Sequence, residues 1–247
     1  MTERSLSERP TASRFDRLDA FRGAAIVWMA VFHFCFDLDH FHAIDADFHG
    51  DRFWTWQRSA IVTLFLLAAG AGQSVAVAQG QSTARFRRRW AQVAACALLV
   101  SLGSWLMFPR SWISFGVLHG ICVLLVVVRW TTRLGPWRWP LGAAAVALPL
   151  LVSHPAFDSR WTNWVGLVTR LPVTEDYVPV LPWLGVAWWG AAAMDWLLAR
   201  RPAAVGGGVP AVLAPLAVLG RWSLSFYMLH QPLLIGLVAG GAWLARR

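Results

Sequence analysis

Arg22, His33 and Asp37 stand in a stretch, residues 22–38, that carries no other ionisable group except Cys35. Eleven residues separate Arg22 from His33. That is close to three turns of an α-helix, so the two side chains fall on nearly one face, about 16 Å apart along the axis. His33 and Asp37 are four residues apart and are surface neighbours on the same helix. A carboxylate beside an imidazole fixes its tautomer and stabilises the imidazolium, which suits a general base. The same imidazole could act as a nucleophile instead, and residue types do not separate the two. The plain alternative is a structural histidine bonded to a neighbouring helix, with Asp37 at the membrane interface.

These residues need a frame, and composition defines it. Of 247 residues 57% are hydrophobic and only 14% charged, with a mean hydropathy of +0.49. Too little polar surface exists to cover a soluble globule, and a disordered, fibrous or disulfide-stapled chain is excluded as well. The expectation is an all-α fold, a polytopic integral membrane bundle embedded in a lipid bilayer. Ionisable groups inside such helices are costly and are functional candidates by default. Uncharged runs cover 23–36, 59–84, 90–109, 111–128, 139–157, 177–194, 202–220 and 222–245. The run at 202–220 holds Gly206-Gly207-Gly208, Pro210 and Pro215, and its apolar part is too short to span. It reads as a loop plus a half-helix, which leaves seven spans, or eight if that run also crosses. Residues 1–21 read as a cytoplasmic tail and 22–245 as one transmembrane domain.

The net charge of +9 comes entirely from arginine, since the chain has no lysine. Nucleic acid is not the expected partner, because the arginines gather in alternate loops, as cytoplasmic loops of membrane proteins do. They lie before the first run and after the second, fourth and sixth. Acids occupy the intervening loops: Asp39, Asp45, Asp47 and Asp51, then Asp158, Glu175 and Asp176. The N-terminus is therefore expected inside. Arg246 and Arg247 would end outside with seven spans and inside with eight. Cys35, Cys96 and Cys122 all lie in apolar runs and read as packing residues. His40, His42 and His49 share the first acidic loop, but no spacing there matches a metal site and no metal is expected. His119 and His230 fall within the fourth and last runs and should face the bundle interior, where they hydrogen-bond or contact substrate.

The run from Arg22 to His33 resembles the Arg-x10-His signature in the first helix of the acyltransferase-3 family, and Leu18-Asp19-Ala20-Phe21-Arg22-Gly23 extends the likeness. Across roughly residues 15–240 the chain resembles more closely the bacterial relatives of heparan-alpha-glucosaminide N-acetyltransferase. Phe115-Gly116-Val117-Leu118-His119, Asp176-Tyr177-Val178-Pro179-Val180-Leu181-Pro182-Trp183, and Leu219-Gly220-Arg221-Trp222 with Tyr227-Met228-Leu229-His230-Gln231-Pro232 carry it. The resemblance implies a membrane acyltransferase of a bacterial cytoplasmic (inner) membrane. Its co-substrate would be acetyl-CoA or another acyl-CoA from the cytoplasm. Its acceptor would be a glycan or other small molecule on the far side. His33 matches the acyltransferase-3 histidine and is the favoured catalytic residue, with Asp37 orienting it. In the heparan-type enzymes the catalytic histidine lies in the first outer loop. Counting back from Gly70 makes that His49, the second choice.

Arg87, Arg88 and Arg89 open the third helix, and guanidinium forks match phosphate oxygens. With Arg22 they would clamp the phosphates of CoA while the pantetheine arm carries the thioester toward His33. His119 and His230 are the candidate acceptor contacts. Two rival classes use the same residues. A proton-coupled transporter or flippase also needs intramembrane His, Asp and Arg, though no inverted repeat is evident. A b-type cytochrome would pair histidines, but the runs offer no second histidine at the depth of His33.

Overall fold

The structure, a computed structural model, describes residues 15–245. The expected tail up to residue 14, and Arg246 and Arg247, lie outside the described residues. Nine α-helices follow in order: α1 Asp16–His40, α2 Arg52–Ala78, α3 Thr83–Met107, α4 Val117–Trp130, α5 Arg138–Leu151, α6 Val180–Arg200, α7 Pro202–Val205, α8 Ala214–Arg221 and α9 Ser223–Ala245. The described residues form no β-strand; one isolated bridge pairs Phe15 with Gly207. α1 starts at Asp16, so residues 16–21, expected in the tail, are its first turns.

Four helices, α1, α2, α3 and α9, are long and apolar enough to cross a membrane. The count is five if α4 and the 132–151 helix form one broken span, bent by 101°. The uncharged runs suggest seven, and the difference has local causes. α4 and α5 have 14 residues each, about 21 Å of helix against a hydrocarbon core of about 30 Å. α4 begins only at Val117, because the chain before it is pinned in a loop: Ser104 Oγ accepts from Ile113 N–H, and Ser101 Oγ donates to the Ile113 carbonyl. Gly135 at φ +51° and Pro136 bend the chain between α4 and α5. α6 has 21 residues, but four tryptophans, two glycines and Pro182 keep its hydropathy below that of the four spans. The half-helix expected in 202–220 is α8 with the turn before it.

Small residues let the helices meet backbone to backbone. A Cβ at Gly220 would sit 1.8 Å from the Asp19 carbonyl oxygen, and one at Gly23 2.0 Å from that of Leu216. α8 therefore lies directly on the first turns of α1. Gly70 and Gly190 do the same for α2 and α6, against Ala187 and Leu67. A core of Leu66, Leu124, Val128, Val186 and Ala191 fills the space between α2, α4 and α6. Met29, Phe32, Phe48 and Ile61 pack the second half of α1 against α2 and the first loop, with Trp54 stacked on Phe48. Val93, Ala97, Leu118 and Cys122 join α3 to α4 and receive Leu224 and Tyr227 of α9.

One ion pair, between a buried arginine and a half-exposed aspartate, locks α2, α5 and α6. Arg138, only 1% exposed, donates to Asp195 Oδ2, and Ser74 Oγ donates to Asp195 Oδ1 at 2.5 Å. Arg138 is thus an interior cation rather than a loop charge, and Asp195 is its partner.

Candidate active site

A cavity of about 450 Å³ opens between α1, α2, α3, α4, α8 and α9. Its charged wall comes from the first turns of α1 and α3 and the last turn of α8: Asp19, Arg22, Arg89 and Arg221. Three guanidiniums face one carboxylate there. Val117 and Leu118 line the cavity from the opposite direction. They open α4, whose far end returns to the arginine side, where Arg129 donates to the Gln81 side chain and backbone. Phe65, Leu224 and Tyr227 complete the apolar portion. The cavity therefore runs from a cationic mouth to an apolar interior, within the usual size range of small-molecule sites.

Each guanidinium is aimed by neighbours. Arg22 Nη1 donates to Asp19 Oδ1 at 2.9 Å, and Nη2 reaches the Ala68 carbonyl at 3.5 Å. Gly72 makes room for it, since a Cβ there would stand 2.1 Å from Arg22 Nη2. Arg221 Nη2 donates to Asp16 Oδ1 at 2.8 Å, with its Nε 3.9 Å from Asp19 Oδ2. Arg89 contacts Gln92 at 3.3 Å, its one side-chain hydrogen bond among the described residues. Arg87 and Arg88 are exposed on α3 and do not line the cavity. Of the expected clamp, Arg22 and Arg89 meet in space, and Arg221 stands where Arg87 and Arg88 were expected.

His33 meets His230, not Asp37. His33 Nδ1 and His230 Nε2 are 2.7 Å apart, and the rings lie nearly parallel at 15°. His230 Nδ1 is 2.7 Å from the Tyr227 carbonyl oxygen, which can only accept, so that nitrogen carries the hydrogen. With both rings neutral, His230 Nε2 accepts and His33 Nδ1 donates. The unprotonated nitrogen of His33 is then Nε2, the position a general base needs. The two histidines share one depth, which corrects the expectation that the runs hold no second histidine at the depth of His33: α9 packs against α1 and brings His230 there. The pair adjoins the cavity through Tyr227, which lines it and lies one helical turn from His230.

Asp37, 2% exposed, accepts from Gln231 Nε2 at 2.8 Å through Oδ1. Asp37 Oδ2 and Gln231 Oε1 are buried acceptors without a donor among the described residues. The expected orientation of His33 by Asp37 is thus replaced: His230 orients the ring, and Asp37 belongs with Gln231. His49 lies exposed in the first loop; its N–H donates to Asp47 Oδ1 at 3.0 Å, and its ring edge meets Phe36. His119 is in the first turn of α4 rather than mid-span. Its Nδ1 accepts from Gly116 N–H at 3.3 Å, which leaves Nε2–H to donate to Ser101 Oγ at 3.2 Å. Both nitrogens are occupied in holding the start of α4. Asp176 caps the same turn, accepting from Val117 N–H at 2.7 Å; burial raises its carboxyl to about 6.

Sequence reasoning did not single out Arg221, Tyr227 or Gln231, although all three fall in quoted motifs. The available signal was that the arginine and the polar pair Gln231–His230 interrupt an otherwise apolar C-terminal run. Among the described residues no group of three or more His, Cys, Asp or Glu is arranged to hold a metal ion.

The family described as heparan-alpha-glucosaminide N-acetyltransferase, catalytic, matches residues 14–232. Comparison with curated proteins and with solved structures finds no match. That family match takes in every residue of the arginine-lined cavity and of the histidine pair, and with the apolar spanning helices it identifies the chain as a multi-pass membrane transferase of the heparan-alpha-glucosaminide N-acetyltransferase catalytic family.

Proposed function

We propose that the chain moves an acetyl group from acetyl-CoA to an amine or hydroxyl of a small polar acceptor, a sugar in the first instance. The protein lies in a bacterial cytoplasmic membrane with its N-terminus and arginine-rich end in the cytoplasm. The observation that carries this reading is the cavity, with Arg22, Arg89 and Arg221 at one end and Tyr227, beside the His230–His33 pair, at the other. Guanidinium forks bind phosphate oxygens in pairs, and the apolar interior takes the arm and the thioester. Arg87 and Arg88, exposed beside the mouth, add a positive field that draws the anionic donor in.

The acceptor approaches from the opposite side. His33 Nε2 takes the proton from the acceptor nitrogen or oxygen as its lone pair attacks the thioester carbonyl. The C–S bond then breaks, and the thiolate leaves with CoA and receives that proton. The two unpaired acceptors, Asp37 Oδ2 and Gln231 Oε1, suit a ligand rich in N–H or O–H donors. His49, exposed in the first loop, is the second candidate base.

The test is calorimetric binding of acetyl-CoA to the detergent-solubilised protein, with turnover measured as thiol release. Micromolar binding that weakens about tenfold in Arg22→Gln and in Arg221→Gln supports the donor site. Absence of binding of any acyl-CoA overturns it. His33→Ala is expected to fold, bind donor and fail to transfer. Retained turnover in that variant moves the base role to His49, which His49→Ala then tests.

A further inference from the structure

α2 gives six residues to the cavity wall: Phe65, Ala68, Ala69, Gly72, Gln73 and Ala76. Five have no polar side-chain atom. Gln73 is 5% exposed, and its Nε2 has no hydrogen-bond partner among the described residues. A buried amide donor left unpaired costs about 1–3 kcal/mol, so its presence asks for a partner. Its cavity-lining neighbours on α2, Ala69, Gly72 and Ala76, are too short to cover it, and Gln73 itself lines the cavity. Nothing in the histidine chemistry uses this residue.

We propose that Gln73 binds an amide group of the pantetheine arm of the donor. Two observations select the arm over the phosphates. First, the cavity already supplies three guanidiniums to a dianionic phosphate, beside which a neutral donor adds little. Second, the wall beyond the arginines is apolar, so the arm's amides would enter it unsolvated, at a cost that one hydrogen bond offsets. A secondary amide offers both a carbonyl oxygen and an N–H. It satisfies the Gln73 Nε2, and the neighbouring Oε1 can accept in return. Gln73 thereby separates pantetheine donors from nucleotides of equal charge.

This inference rests on the acyl-CoA reading of the cavity, and the experiment distinguishes the two. Binding of CoA is compared with binding of its adenosine phosphate portion lacking the pantetheine arm, in wild type, Gln73→Met and Gln73→Glu, with melting in the same detergent as the folding control. In wild type, binding of neither ligand removes the acyl-CoA reading itself. The expected result is wild-type binding of both, with CoA weakened about tenfold in Gln73→Met and the armless portion changed less than about twofold. Gln73→Glu, of the same size, carries the comparison if the methionine variant does not fold. It should weaken the armless portion too by charge repulsion, yet weaken CoA by a larger factor. Equal losses for both ligands, or no loss for CoA in a variant that melts as wild type, overturn the assignment.

Discussion

Replacing His230 by leucine removes the acceptor that fixes the His33 tautomer. His33 Nδ1–H donates to His230 Nε2 at 2.7 Å, and His230 Nδ1–H is anchored on the Tyr227 carbonyl at 2.7 Å. A neutral hydrogen bond of this type contributes about 1 kcal/mol net, equivalent to a five- to tenfold bias toward the tautomer with Nε2 free. The stacked geometry also sets the ring direction, and misdirection of a base typically costs a further factor of about ten. We expect kcat to fall about ten- to hundredfold in His230→Leu. KM for acetyl-CoA should move less than about twofold, because His230 does not line the donor cavity. His230→Gln, whose carbonyl can accept from His33, should recover most of the loss. Leucine roughly fills the ring's place beside Phe226, so melting in detergent should shift by about 1 kcal/mol equivalent. Acetyl transfer to a fixed acceptor, followed by thiol release, reads all three. Wild-type kcat in His230→Leu, or a glutamine variant no better than leucine, would refute the tautomer argument and leave His230 as packing.

The arginines divide by position. Arg22→Gln or Arg221→Gln should weaken acetyl-CoA binding about tenfold, and Arg87→Gln or Arg88→Gln by no more than about twofold, measured by calorimetry at fixed salt. Gly220→Ala forces a methyl against the Asp19 carbonyl and should lower stability by about 2–3 kcal/mol, read as a fall in melting temperature; unchanged melting would show that α1 and α8 are free to separate. Asp176 has its carboxyl raised from 3.8 to about 6 by burial, so the folded state holds its proton more tightly than the unfolded chain. Stability should therefore decline as pH rises from about 4 to about 6 and then level off, and Asp176→Asn, which can still accept from Val117 N–H, should flatten that decline. A pH–melting curve identical in wild type and variant would sink this account.

The helical membrane character was legible because it is written in local composition: long uncharged runs admit only helices in lipid. The number of spans was not, since a run of apolar residues does not say where its helix begins. Ser101 and Ser104 hold the chain before Val117 out of the helix, and Gly135 with Pro136 bends it after Trp130. Both are contacts or torsions that hydropathy averages away. Arg22 and Arg89 were legible as cavity cations, because ionisable groups beside apolar runs stand out. Arg87 and Arg88 differ from Arg89 only by their direction around α3, which sequence shows only once the partner helices are known.

From its sequence alone, the chain fixes an all-helical frame, an Arg22–His33 face on the first helix and the family motifs, because these depend on residue type and helical period. Tertiary structure alone decides the partners. Asp37 sits at the right spacing for His33, yet residues 194 positions away and more take both side chains: Gln231 binds Asp37 and His230 binds His33. The reason is geometric. Neighbours four apart on one helix lie side by side, whereas α9 presents its donors and acceptors head-on across the interface, where the hydrogen bonds are straight and short.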